Sequence, residues 1–220
     1  QFYLDYIDWL RSSCKTAWGK PVSPKTAHSY YTTLRTALNE AVRENLIASN
    51  PWYRLEMTEK IKVPESKRDF LTIEEIKRMM ATPFFNEQVR QAYLFSCFCG
   101  LRISDIRKLR WRDLSMSGGQ WRASVVMTKT IHPVYIPLSS QAVKWLPERG
   151  DCTPDGLVFG GLPNEGNLCV NLKNWAEKAG VKKNVTFHTA RHSCAVLLLT
   201  LGADIYTVSK ILGHRSVRST

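Results

Sequence analysis

Three short stretches carry side chains that could do chemistry together: Gly100-Leu101-Arg102-Ile103-Ser104-Asp105, His188-Thr189-Ala190-Arg191-His192 and Leu212-Gly213-His214. Arg102 follows a glycine that closes an apolar run and precedes a new helix. Its guanidinium can therefore face a groove and hold a phosphate through two parallel hydrogen bonds. His188 and Arg191 are three apart and His192 is four from His188, which on a helix places all three on one face. An imidazole and a guanidinium make a poor core pair, because two potential cations would be buried together. Lys129 stands between the clusters at a polar loop tip, from which an ammonium can reach across a groove and protonate a departing oxygen. Such a set suits a phosphodiester held by cations and relayed protons. Each member also has a plainer reading. Arg102 can pair with Asp105 on its own helix. The histidines can belong to a polar helix start in water. Lys129 can be a solvated loop residue, and His214, after Gly213, can close a helix.

Composition narrows the target. The 220-residue chain fits one large domain or two small ones, and 44% hydrophobic residues are enough for a real core. Lys and Arg number 31 against 19 Asp and Glu, a formal net charge of +12. That charge attracts polyanions over long range, nucleic acid first and anionic membrane second. No apolar run is long enough to span a bilayer; Val196 to Leu201 is a helix-core length. The six cysteines form no Cys-x-x-Cys pair and lie mostly among apolar neighbours, so they read as reduced residues of a cytoplasmic protein. No metal site and no cofactor are expected. The first residue is Gln1, not Met, and no signal peptide is visible, so the chain is expected to be a piece of a longer one.

Periodicity supplies the positioning elements. Phe2, Tyr3, Tyr6, Ile7 and Leu10 fall at helical spacing. Ser23-Pro24 opens a second helix, whose stripe is predicted at Tyr30, Leu34, Leu38 and Val42 with Ala27, Tyr31, Ala37 and Ala41 beside them, ending at Asn50-Pro51. The charged, aperiodic stretch through Pro64 predicts a linker over 58–69, between a helical domain at 1–57 and a second domain at 70–220. There Thr72-Ile73-Glu74-Glu75 is a capping box. A helix runs to Gly100, and Ile103, Ile106 and Leu109 predict another. Trp121, Ala123, Val125 and then Val134, Ile136, Leu138 alternate, predicting a hairpin with Lys129 at its tip. Leu168, Leu172, Trp175 and Ala176 mark a helix stopped by Gly180, and 189–201 and 204–212 are two more. The expected class is mainly α with a small β-hairpin or sheet.

In fixed order these residues read Arg, Lys, His-x-x-Arg-His, Gly-His, and here the chain resembles the tyrosine recombinases, the integrases of phages and mobile elements. Cys99 to Ile106, the Lys129 hairpin, Phe187 to Ser193 and Ile211 to His214 carry the likeness. It covers about 70–220 as a mixed α/β catalytic domain. Residues 1–57 look like the family's helical core-binding domain, and the pair would form a clamp on DNA. The resemblance implies that Arg102 and Arg191 grip a scissile phosphate and Lys129 protonates the leaving 5′ oxygen. His188 would act as base or orienter and His214 as hydrogen-bond donor, with Asp105 and His192 in support. A tyrosine would form a 3′-phosphotyrosine, and the family places it just past Thr220; none of the eight tyrosines here occupies that place. Duplex DNA, a tetramer on paired sites and host DNA-bending accessory proteins are the implied partners. A catalytically disabled DNA-binding protein of the same fold and a type IB topoisomerase are the rival readings.

Overall fold

The chain divides into two units, Gln1–Lys67 and Arg68–Thr220. The computed structural model describes residues 1–63, 68–126, 133–214 and 216–217. Lys129 and the hairpin tip lie outside the described residues.

In the smaller unit α1 (Phe2–Ser12) buries Tyr3, Ile7 and Leu10 against Ala27 and Tyr31 of α2 (Pro24–Arg43). Ser23 caps α2 by accepting the Thr26 N–H at 3.1 Å, with Pro24 where its missing donor is harmless. The predicted stripe is the buried one in part, with Leu34 and Leu38 packed on the same core. Ala27 and Tyr31 point inward, while Tyr30 is 46% exposed. The helix also stops early. Asn45 adopts φ 60°, the Asn45 N–H donates to the Val42 carbonyl and the Leu46 N–H to Ala41, closing a left-handed cap. Asn50 serves the next turn: its Oδ1 accepts the Trp52 N–H at 2.9 Å, and its Nδ2 donates to Asn39 at 2.7 Å. Trp52 lies between Arg35 and Lys60, whose cations stand 4.7 and 4.2 Å from its ring centre. Arg11 donates to the Glu59 carbonyl, and Ile61 packs on the same core. Residues 59–61 thus belong to this unit, although the sequence reads them as linker.

In the larger unit the capping box forms as written. Thr72 Oγ1 accepts the Glu75 N–H, Glu75 accepts the Thr72 N–H, and α3 (Ile73–Ala81) follows. Helix α4 (Glu87–Cys99) is buried almost all round. Helix α5 (Ile103–Ile106) is a single turn, so Leu109 lies beyond it; its carbonyl accepts from Val158 and its side chain still reaches the core. The sheet has three antiparallel strands: β1 (Leu114–Ser117), β2 (Gln120–Val126) and β3 (Pro133–Pro137). Ala123 faces Ile136 and Val125 faces Val134, the pairing that their alternation predicts. The sequence gives no sign of β1, which buries only Leu114 and so shows no alternation. It enters the sheet through Gly118-Gly119, both at positive φ, a two-residue turn whose twist suits a hairpin.

Helices α6 (Ser140–Lys144), α7 (Glu165–Lys178), α8 (Phe187–Thr200) and α9 (Ile205–Ile211) complete the unit. Helix α4 packs on α8 and α6. An aromatic chain holds the start of α8. Trp175 stacks on Phe84, Tyr93 meets Trp175 edge-on, and Tyr93 meets Phe187, the first residue of α8, at 5.5 Å. Among the described residues no helix is long and apolar enough to cross a membrane.

Candidate phosphate site

Three backbone breaks bring the separated clusters together. Helix α4 ends at Gly100, in the left-handed region at φ 73°. The chain then extends through Arg102, which heads α5. Helix α8 is started by a reciprocal cap, Thr186 Oγ1 accepting the Thr189 N–H and Thr189 Oγ1 the Thr186 N–H. Helix α9 closes on Gly213, where the His214 N–H donates to the Ser209 carbonyl. His214 is thus a helix-closing residue, as its plainer reading has it, and also a member of the cluster.

Arg191 is the centre. It is only 5% exposed. Its Nη1 donates to the Gly100 carbonyl at 2.6 Å, and its Nη2 donates to the carbonyl of Leu212. One guanidinium therefore bridges the C-terminal ends of α4 and α9, where helix carbonyls carry partial negative charge. These bonds use two of its five N–H donors. The three residues expected on one face are graded instead. Arg191 is buried, His192 is half-buried and His188 is exposed, so no imidazole–guanidinium core pair forms. Arg191 is buried because backbone carbonyls, which no side-chain pattern announces, replace its water.

The side chains of the clusters also act on one another electrostatically. Burial first, then the Arg102 charge, lowers the Arg191 pKa to about 10, against the opposing pull of the buried Asp105. Arg191 remains charged at neutral pH. Burial pushes His214 down to about 4, followed by the charges of Arg191, Arg102, Arg68 and His192. His192 is lowered first by burial, then by Arg68, His188 and Arg191. An anion entering the site would relieve that repulsion and raise both histidines. His214, neutral near pH 7, can still donate a hydrogen bond. Among the described residues no group of three or more His, Cys, Asp or Glu side chains could hold a metal. Tyr206 is exposed on α9, with the Lys210 amine 5.1 Å from its ring centre.

Gly100 is irreplaceable on two counts. Its φ is positive, and a Cβ there would stand 2.6 Å from Leu212 Cδ2 and 3.3 Å from Cys194 Sγ. Gly100→Ala is expected to cost about 2–5 kcal/mol, left-handed strain plus overpacking. Gly202 also has positive φ but open space around it, so Gly202→Ala should cost only about 1–2 kcal/mol. Denaturant unfolding of both variants measures the difference; equal losses would show that the contact with α9 is soft.

Comparison with known proteins decides the family. The model of the phage integrase family matches residues 69–220, and that of the phage integrase SAM-like domain matches residues 1–62. The chain belongs to the tyrosine recombinase family. A tyrosine recombinase of Thermosipho africanus is 30% identical over 217 residues, covering 92% of this chain and 72% of that protein. Tyrosine recombinase XerD of Pseudomonas putida is 26% identical over 235 residues, covering 99% and 74%. The Tn1549 transposon integrase, solved with a circular intermediate DNA, superposes with TM-score 0.75 at 17% identity, covering 99% of this chain and 78% of that one. XerH, solved on a palindromic difH substrate, gives 0.74 at 19% identity, covering 99% and 67%. These two likenesses show the fold.

Proposed function

We propose that this tyrosine recombinase breaks and rejoins duplex DNA at specific sites, with the cluster around Arg191 as its scissile-phosphate site. The observation that carries the reading is the buried Arg191 guanidinium, anchored by the Gly100 and Leu212 carbonyls and subject to the charges of Arg102 and Asp105. Arg102 and Arg191 bind the non-bridging oxygens and neutralise charge that grows as phosphorus becomes five-coordinate. A tyrosine oxygen attacks the phosphorus. The bond to the 5′ oxygen breaks, and Lys129 gives that oxygen its proton. His188 takes or orients the tyrosine proton. His214 donates a hydrogen bond to a phosphate oxygen, a role that needs no charge on the imidazole. Asp105 and His192 hold the arginines and histidines in place. A 5′ hydroxyl of another strand then attacks the phosphotyrosine and releases the tyrosine, conserving the phosphodiester energy without ATP.

Both units engage the duplex. Phosphate contacts supply affinity, and base contacts select the site. The working assembly is a tetramer on two paired sites, assisted by host proteins that bend DNA.

A nicked suicide duplex tests this. Cleavage lets a short 5′-hydroxyl fragment diffuse away, so the full-length protein should accumulate as a covalent DNA adduct, in EDTA as well as in magnesium. Tight binding without adduct would favour a disabled DNA-binding protein. An adduct that rejoins only its own strand, never a second site, would favour topoisomerase chemistry.

A further inference from the structure

The residue that opens the larger unit, Arg68, is tethered close to the turn of α8 that carries Arg191. Two hydrogen bonds tether the segment after Arg68. The Leu71 N–H donates to Ser193 Oγ at 2.7 Å, and Lys183 Nζ donates to the Phe70 carbonyl at 2.8 Å. Ser193 follows His192 directly and is itself held, its hydroxyl donating to the Thr189 carbonyl at 2.7 Å. The Leu71 side chain is buried in the main core. Three residues span at most about 11 Å, so Arg68 cannot stray far from the turn of α8 that carries Arg191 and His192. Its own side chain is exposed. The charge of Arg68 bears on both His192 and His214, which lie on opposite sides of Arg191 in the sequence. A solvated surface arginine elsewhere on the unit would bear on neither.

We propose that Arg68 is a further phosphate-contacting residue of this site, tethered by the Leu71–Ser193 hydrogen bond so that its guanidinium binds the DNA backbone at the phosphate next to the cleaved bond. The proposal rests on the reading of the site given above. Arg191 is buried and Arg68 is exposed, so Arg68 would meet a phosphate from the solvent side. It adds a contact on the neighbouring phosphate and so fixes which bond lies over Arg191.

The test uses the full-length protein, single-turnover cleavage and duplexes in which one phosphate at a time is a neutral methylphosphonate. Arg68→Ala should cleave about 10–100-fold more slowly, the loss expected for one hydrogen-bonded charge contact. Its log K against log[salt] should be shallower by about 0.9, one phosphate fewer. At one methylphosphonate position beside the cleaved bond, the wild type and Arg68→Ala should be equally slow. Its melting temperature should be unchanged. Wild-type cleavage and salt slope in Arg68→Ala would overturn the proposal. So would a loss of the same factor at every methylphosphonate position, which marks a general field effect, or a loss that merely follows a lowered melting temperature. Arg191→Ala runs beside it. If Arg191→Ala is slow while Arg68→Ala is not, only the placement of Arg68 fails; if Arg191→Ala also cleaves normally, the reading of the whole site fails.

Discussion

Arg191→Ala is expected to slow strand cleavage by about 10²–10³ fold, the loss typical of removing one preorganised donor at a developing oxyanion. The expectation follows from how Arg191 is held. Its guanidinium is buried, and two carbonyls from different helix ends set its plane before DNA arrives. No reorganisation is then needed as the phosphate gains charge. Alanine would also strand the Gly100 and Leu212 carbonyls, so part of any loss could come from a loosened junction between α4 and α9. Arg191→Lys separates the two effects. An ammonium keeps the charge but cannot hold two carbonyls and still offer a fork to phosphate. It should therefore be slow as well, with a smaller drop in unfolding free energy than alanine. Single-turnover cleavage and denaturant unfolding of both variants provide the measurement. Full activity of the lysine variant would mean that Arg191 contributes charge alone and that the anchored geometry is irrelevant.

How much of this was legible in the sequence depends on whether an interaction is local. The Thr72–Glu75 box, the Ser23 cap and the stop at Gly100 are local, and all three form. The β2–β3 register follows from alternation on a half-buried sheet. Strand β1 was not legible, because three of its four residues are exposed. The end of α2 was misplaced for a similar reason. Asn45 can adopt the left-handed cap that glycine usually supplies, and nothing in Glu44-Asn45-Leu46 marks it beyond residue type.

The site divides along the same line. Arg102, Asp105, His188, Arg191, His192 and His214 can be chosen by type and order, and the structure brings Arg102, Asp105, His192 and His214 into electrostatic reach of Arg191, and His188 of His192. What holds Arg191 could not be chosen, because its partners are carbonyls 91 and 21 positions away in the chain. Any residue has such a carbonyl; only the fold selects Gly100 and Leu212. Arg68 was missed because it closes a run of charges that reads as linker. Its tether, Leu71 to Ser193, spans 122 positions.

Lys129→Ala should lose about 10²–10⁴ fold in cleavage, the range for a lost general acid, yet recover on a substrate that Arg191→Ala cannot use. Lys129 lies three positions beyond Val126, the last residue of β2, and outside the described residues, so its role rests on residue type and order. In the proposed mechanism both residues are cations serving one phosphate, but they should fail differently. Arg191 would stabilise charge on the non-bridging oxygens whatever group departs. Lys129 would supply one proton to the 5′ oxygen as its bond to phosphorus breaks. If sulfur replaces that oxygen, the leaving group departs as a stable thiolate and needs no proton. The thio substrate should therefore restore Lys129→Ala to near the wild-type rate and leave Arg191→Ala slow. The measurement is single-turnover cleavage of both substrates by both variants of the full-length protein. Equal rescue of the two would mean that the sulfur merely makes the substrate more reactive. No rescue of Lys129→Ala would move the general acid elsewhere, with His188 the next candidate, since it is exposed where His192 and His214 are half-buried.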